Sequence, residues 1–131
     1  MPSFNSAAPV LLVAHVGSTL GWYRDVLGFE ADAFPSSSDP EFAVLCREGV
    51  EIMLQRLAGY VKPDPSPRRA AGVWDVYIRV SGLIELHREL TRTPTAFVSA
   101  LEQRAYGCTE CQLDDPNGYR LVLSEETGAE Q

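Results

Sequence analysis

The sequence predicts an α+β fold built from two copies of one strand–helix–strand–strand–strand unit. Three observations lead there. The hydrophobic period switches from two to about 3.6 and back, and does so twice in the same order. The two stretches of helical period, Leu20/Tyr23/Leu27 and Leu83/Leu86/Leu90, each follow one strand-like run and precede several more. The chain has 131 residues, enough for one real core but short for two independent domains.

The first copy opens with PVLLVA (residues 9–14), which reads as a buried strand. STLGWYRDVLGF then puts Leu20, Tyr23 and Leu27 on one helical face, with Ser18 as the expected N-cap and Gly28 as the stop. FEADAF reads as a strand, SSSDPE as a turn, and EFAVLCREGVEIMLQR as a hairpin about Glu48-Gly49. Pro63, Pro65 and Pro67 mark a loop or crossover. The second copy repeats the order: VWDVYIRV as strand, SGLIELHRELT as helix with Ser81 as its cap, TAFVSAL as a weak strand, and two strands flanking Pro116-Asn117-Gly118. One helix covers one face of each small sheet, and the other face is free to line a cleft.

Net charge is −7 and no basic run exceeds Arg68-Arg69, so nucleic acid and anionic membranes are poor partners, whereas a cationic ligand is attracted. The longest apolar run, residues 7–14, is too short to cross a bilayer and lacks a basic flank; it is expected to be neither signal peptide nor anchor. Three cysteines suit a reducing compartment, and the cytoplasm is the expected location.

Two stretches, VLLVAHVGSTLGWYRDVLGFE and YGCTECQLDDPNGYRLVLSEE, give the chain a family likeness. It resembles the vicinal oxygen chelate superfamily of glyoxalase I, extradiol dioxygenases, fosfomycin-resistance thiol transferases and bleomycin-resistance proteins. The likeness runs from about residue 8 to residue 126, and SAAPVL, GLIELH and YGCTE bring it nearest the bleomycin-resistance branch, an antibiotic-resistance function. The resemblance implies a single glyoxalase-like domain over residues 1–131, made of two βαβββ modules (about 7–57 and 72–126) whose curved mixed sheet surrounds a cleft. It also implies a homodimer. Enzymes of the family hold a divalent metal with His and Glu side chains from the first and last strand of each module. Aligned by the motifs, those places fall here on Ala8, Asp75 and Val122. Alanine and valine cannot ligate, and one carboxylate is not a site. No metal and no cofactor are expected.

Other residues are not expected to rebuild a site. His15 ends the first strand, where a turn or cap role is expected. His87 falls among Glu85, Arg88 and Glu89 on a solvated helix face. Cys108 and Cys111 spell C-x-x-C, but on a strand residues three apart point to opposite faces, so two ordinary buried thiols are expected. Cys46, beside Val44 and Leu45, reads as core.

Parity then fills the cleft. Val50, Ile52 and Leu54 form an apolar helix-side face, leaving Glu51, Met53 and Gln55 on the other. Trp74, Val76, Ile78 and Val80 read as helix-side, leaving Asp75, Tyr77 and Arg79 in the cleft. Glu110 and Gln112 join them with Asp114, as do Arg120, Val122 and Ser124. Carboxylates, a tyrosine face and an adaptable methionine suit a cationic or polar-aromatic compound. Arg79 is the expected partner of Asp75 within the chain, and a bound cationic ligand is the other candidate. No nucleophile with base and orienter is visible, so no catalytic residue is assigned. The expectation is a metal-free binding protein that sequesters a small molecule in a dimer cleft. The alternative is a superfamily enzyme with an unusual metal site from Asp75, Glu51, Glu110 and His15, or with Asp75 or Glu51 as general base.

Overall fold

A computed structural model describes residues 1–69 and 72–127. The chain divides into two compact units, Met1–Val61 and Lys62–Gln131.

The first unit runs β1 (Val10–Val13), α1 (Val16–Leu27), β2 (Glu30–Phe34), β3 (Phe42–Arg47) and β4 (Val50–Arg56). Its sheet has the order β1-β4-β3-β2; β1 is parallel to β4 and the other pairs are antiparallel. Helix α1 packs on β2, β3 and β4. Alternation on each strand sends Leu11, Val13, Ala43, Leu45, Ile52 and Leu54 to the helix side, where all are buried beneath Val16, Thr19, Tyr23 and Leu27. Each large side chain so buried contributes about 1.5–3 kcal/mol. Tyr23 is fully buried and meets Phe29 edge-on, while Trp22 is only half-buried.

Helix α1 begins at Val16 with His15 in the capping position, earlier than the expected Ser18. The buried stripe Val16/Thr19/Tyr23/Leu27 sets the start, and the Thr19 hydroxyl donates back to the His15 carbonyl at 2.8 Å. Gly28 ends the helix as expected, in the left-handed region at φ 71°. β1 alternates rather than being buried on both faces, with Val10 47% exposed and Leu11 5%. The β3–β4 hairpin turns on Glu48-Gly49, and Glu48 takes a left-handed φ of 52°.

The second unit runs β5 (Val76–Arg79), α2 (Leu83–Thr91), β6 (Glu102–Gln103), β7 (Cys108–Asp114) and β8 (Arg120–Glu126), after a short 3-10 turn at Ser66–Arg68 in the proline loop. Its sheet order, β5-β8-β7-β6, repeats that of the first, again with one parallel pair. Helix α2 packs on β7 and β8, where Leu83 and Leu90 are buried and Cys111, Leu113, Leu121 and Leu123 supply the sheet side of the core.

Two expectations change in this unit. Ser81 does not cap α2. Gly82 stands in the capping position, and the carboxylate of Glu125 on β8 accepts the backbone N–H groups of Gly82 and Leu83 at 3.0 Å each. The strand expected at residues 95–101 is reduced to one bridge, Val98 to Leu113, and the regular pairing comes later at Glu102–Gln103. Ser99 takes over the ladder: its N–H donates to the Gln112 carbonyl and its hydroxyl accepts the Gln112 N–H, both at 2.8 Å.

Candidate functional site

The face of the second sheet turned away from α2 is laid out in three rows by the strand register. Arg120 on β8 stands opposite Asp114, with Asp75 beside it through a 2.9 Å bond from the Asp75 N–H to the Arg120 carbonyl. The next row is Tyr77, Val122 and Gln112, and the third is Arg79, Ser124 and Glu110. Parity on β5, β7 and β8 therefore brings together seven of the ten expected ligand contacts: Asp75, Tyr77, Arg79, Glu110, Gln112, Arg120 and Val122.

Glu110 anchors one end. Only 1% exposed, its carboxylate accepts the hydroxyls of Tyr77 and Tyr106 at 2.5 Å each and Nε of Arg104 at 3.1 Å. The Tyr77 oxygen also lies 2.8 Å from Ser124 Oγ. Burial alone would raise the Glu110 pKa, but the hydrogen bonds from Tyr106, Tyr77 and Arg104, with the Arg104 charge, outweigh it and hold the carboxyl below its ordinary range. The two phenols respond the other way: burial first, then the carboxylate they donate to, raises both. Arg104 and Tyr106, both on the β6–β7 connection, are partners of Glu110 that the sequence alone does not place there. Their loop carries no periodicity to place them, and YGCTE was informative only as a family likeness.

Asp75 anchors the other end. Its Oδ2 accepts the Arg120 N–H at 2.8 Å and pairs with Lys62 Nζ at 3.4 Å. Arg79, the expected partner, instead sits over the Tyr77 ring at 5.5 Å and reaches Glu126 at 3.9 Å. Alternation explains this: Asp75 and Arg79 lie four residues apart, one at each end of the face. Lys62, Asp64, Asp75, Asp114 and Arg120 line a cavity of about 250 Å³ between the proline loop and the β7–β8 turn. Arg120 is fixed there by two bonds to Asp114, 2.9 and 3.2 Å long.

Trp74 is a correction. Alternation predicts the helix side for it, yet it is 42% exposed and lies 5.5 Å from the Tyr77 ring. The strand begins only at Val76, so strict alternation does not extend back to Trp74.

On the first sheet the face away from α1 carries the remaining three expected contacts, Glu51, Met53 and Gln55. Met53 pairs with Val10 and Val44, and Gln55 with Leu12 and Phe42, so this face is mainly apolar. Cys46 belongs to it rather than to the core: opposite Glu51, its thiol donates to the Glu51 carboxylate at 3.5 Å. Burial and then that carboxylate raise the Cys46 thiol, and burial pushes Cys111 up to about 11. Neither is a ready thiolate. Cys108 and Cys111 are both buried with free thiols, as their spacing implies. His87 is half-buried and bonded through Nε2 to the Ser99 carbonyl at 2.8 Å, not simply solvated. His15 is exposed at the entrance of α1, near Asp39 and Arg56.

A divalent metal does not fit these residues. Val122 is fully buried and has no donor, and Asp75 is held by Lys62 and a backbone N–H. Asp75 and Glu110 stand at opposite ends of one face, each with its own protein donors. Among the described residues no group of three His, Cys, Asp or Glu side chains is placed to hold an ion. None of their helices is long and apolar enough to cross a membrane.

Comparison with solved structures shows the same fold. The bleomycin-binding protein of bleomycin-producing Streptomyces verticillus, solved with copper(II)-bleomycin, superposes with a TM-score of 0.67 at 23% identity, over 98% of this chain and 99% of that one. A bleomycin resistance determinant encoded on the transposon Tn5 gives 0.69 at 23% identity, over 94% and 98%. A glyoxalase-related enzyme from Clostridium phytofermentans gives 0.72 at 14% identity, over 95% and 97%. No curated protein sequence matches the chain. The glyoxalase/bleomycin resistance protein/dioxygenase superfamily matches residues 4–123. With that match across nearly its whole length, and with two mixed four-stranded sheets each carrying one helix, the chain belongs to the glyoxalase/bleomycin resistance protein/dioxygenase superfamily.

Proposed function

We propose that the chain is a metal-free small-molecule-binding protein that sequesters a cationic or polar-aromatic compound in the cleft of a homodimer, with modules of about residues 7–57 and 72–126 acting as one domain. The observation that carries this reading is the row Tyr77–Val122–Gln112. The position that the resemblance matches to a metal-binding glutamate is Val122, which pairs with Tyr77 and Gln112 and is buried. The flanking carboxylates are held by protein donors instead of a metal. Trp74, Tyr77 and Arg79 add aromatic and cationic surface on the same side, suited to stacking. Support for pairing comes from large apolar side chains left exposed in the first unit, Val10 and Phe34. Two of the structural relatives bind or confer resistance to bleomycin, which makes that glycopeptide the first ligand to test.

Thermal shift with metal-free bleomycin, copper(II)-bleomycin and divalent metals is the direct experiment, because a ligand that binds only the folded chain raises its Tm. A shift with the glycopeptide, none with metals, and no metal in the purified protein are expected. Stoichiometric zinc, nickel, iron or manganese would overturn the reading. Asp75→Asn should weaken a cationic ligand by about 1–3 kcal/mol, the scale of a charge-assisted contact, while the fold survives. Unchanged affinity would remove Asp75 from the binding face. Light scattering at micromolar concentration should give a dimer, and a monomer would remove the shared cleft.

A further inference from the structure

Lys62 is the only lysine in the chain. Its Nζ donates to the neighbouring Pro63 carbonyl at 3.2 Å and lies 3.4 Å from Oδ2 of Asp75 and 5.4 Å from the centre of the Tyr119 ring, and its side chain is only 11% exposed. Surface pairs such as Arg24–Asp25 leave more than half of each side chain in water. An ammonium is a strongly hydrated point charge, so one withdrawn from water onto a carboxylate and an aromatic face is held as a bound cation would be. The cavity of about 250 Å³ opens beside this contact, and its other basic group, Arg120, is already paired with Asp114. Pro63 and Pro65 restrict the backbone that carries the lysine, so displacement of the ammonium is assigned to rotation of its long side chain.

We propose that Lys62 is a built-in competitor: its ammonium occupies the Asp75 carboxylate in the free protein and is displaced when the cationic group of a ligand enters the cavity. This rests on the reading of Asp75 as a ligand contact, and it adds a selectivity to it. Exchange of one ammonium for another gains little. An amidinium or guanidinium gains more, because it is planar, more weakly hydrated and able to present two parallel N–H groups to a carboxylate. The site therefore selects planar cations over primary amines.

The test uses two probes of matched shape, benzamidinium and benzylammonium, titrated calorimetrically into the wild-type protein, Lys62→Met, Asp75→Asn and the double variant. Benzamidinium should bind the wild type more tightly than benzylammonium. Lys62→Met should tighten benzamidinium by about fivefold, the scale of one partly exposed ion pair, and the double variant should lose that gain. The sole lysine also gives one side-chain 13Cε resonance, which saturating benzamidinium should move to its position in Asp75→Asn. If Lys62→Met binds no better or more weakly while Asp75→Asn still weakens binding, the competitor is wrong and the Asp75 contact stands. If Asp75→Asn changes nothing, both fail, and absence of saturable benzamidinium binding to wild type and Lys62→Met also overturns the proposal. Should Lys62→Met not fold, an unmoved Lys62 resonance at saturation overturns it.

Discussion

In the first unit the row Val10–Met53–Val44 is apolar throughout, whereas in the second the row Tyr77–Val122–Gln112 has a single aliphatic member between two polar side chains. The strands beneath repeat the same order, and their helix-side residues are of one kind: Ile52 and Leu54 in one sheet, Leu121 and Leu123 in the other, all 2% exposed or less. The difference teaches where the constraint lies. A helix must be covered with apolar surface in both units, so inward positions agree and the topology repeats. Outward positions answer to whatever meets them. The first sheet presents surface that needs a cover, and the second satisfies its own polar groups through Glu110 and Asp75.

The largest expected effect tests the shared inward face. Tyr23→Ala should cost about 3 kcal/mol or more in urea unfolding, as large-to-small core changes do. A loss under about 1 kcal/mol would show that α1 is not held through this residue.

Glu110→Gln tests the outward face and should cost about 2 kcal/mol, since three donors lose a charged acceptor. The sign with pH follows from its lowered pKa. A carboxyl whose folded value lies below its unfolded one contributes stability that is present above the unfolded value and lost as pH falls through the folded one. The gap between wild type and Glu110→Gln should therefore hold at neutral pH and shrink as pH falls below the ordinary glutamate range. A gap that does not change would mean the carboxylate is not the acceptor in solution. Tyr77 and Tyr106 should also ionise at lower pH in the variant, read by absorbance, because the carboxylate that raises them is gone.

Glu125→Ala should have the smallest effect, lowering Tm by a few degrees and speeding hydrogen exchange at the Gly82 and Leu83 amides, with α1 untouched. Unchanged exchange at both amides would show that the cap contributes nothing. The contrast with α1 is in the termini: one helix is closed by its own Gly28, the other is opened by a carboxylate from a strand about forty residues away.

Legibility in the sequence followed the same division. Period-two alternation gave the outward sets on β4, β7 and β8 because those strands are seven residues long and regular. It failed at Trp74, where the strand had not begun, and at residues 95–101, where Ser99 replaces the ladder. Ser18 and Ser81 look like caps, yet a buried stripe and a distant carboxylate decide those starts. Lys62, Arg104 and Tyr106 come from connections without periodicity, so their convergence on Asp75 and Glu110 is a tertiary fact that no local pattern contains.

The left-handed Glu48 in the β3–β4 turn bears on how far the chain can be altered. A side chain larger than Asn or Gly at such a φ carries a backbone penalty of about 1 kcal/mol. Glu48 is exposed, and its contact with Arg47 at 3.6 Å is a surface pair. Replacing it by Gly or Asn would release that penalty without touching either sheet face. The turn is thus a reserve of mutational tolerance: a chain relieved there can absorb costly changes among Tyr77, Glu110 and Asp75, and the outward face of the second sheet can be varied in the laboratory without crossing the threshold at which the fold is lost.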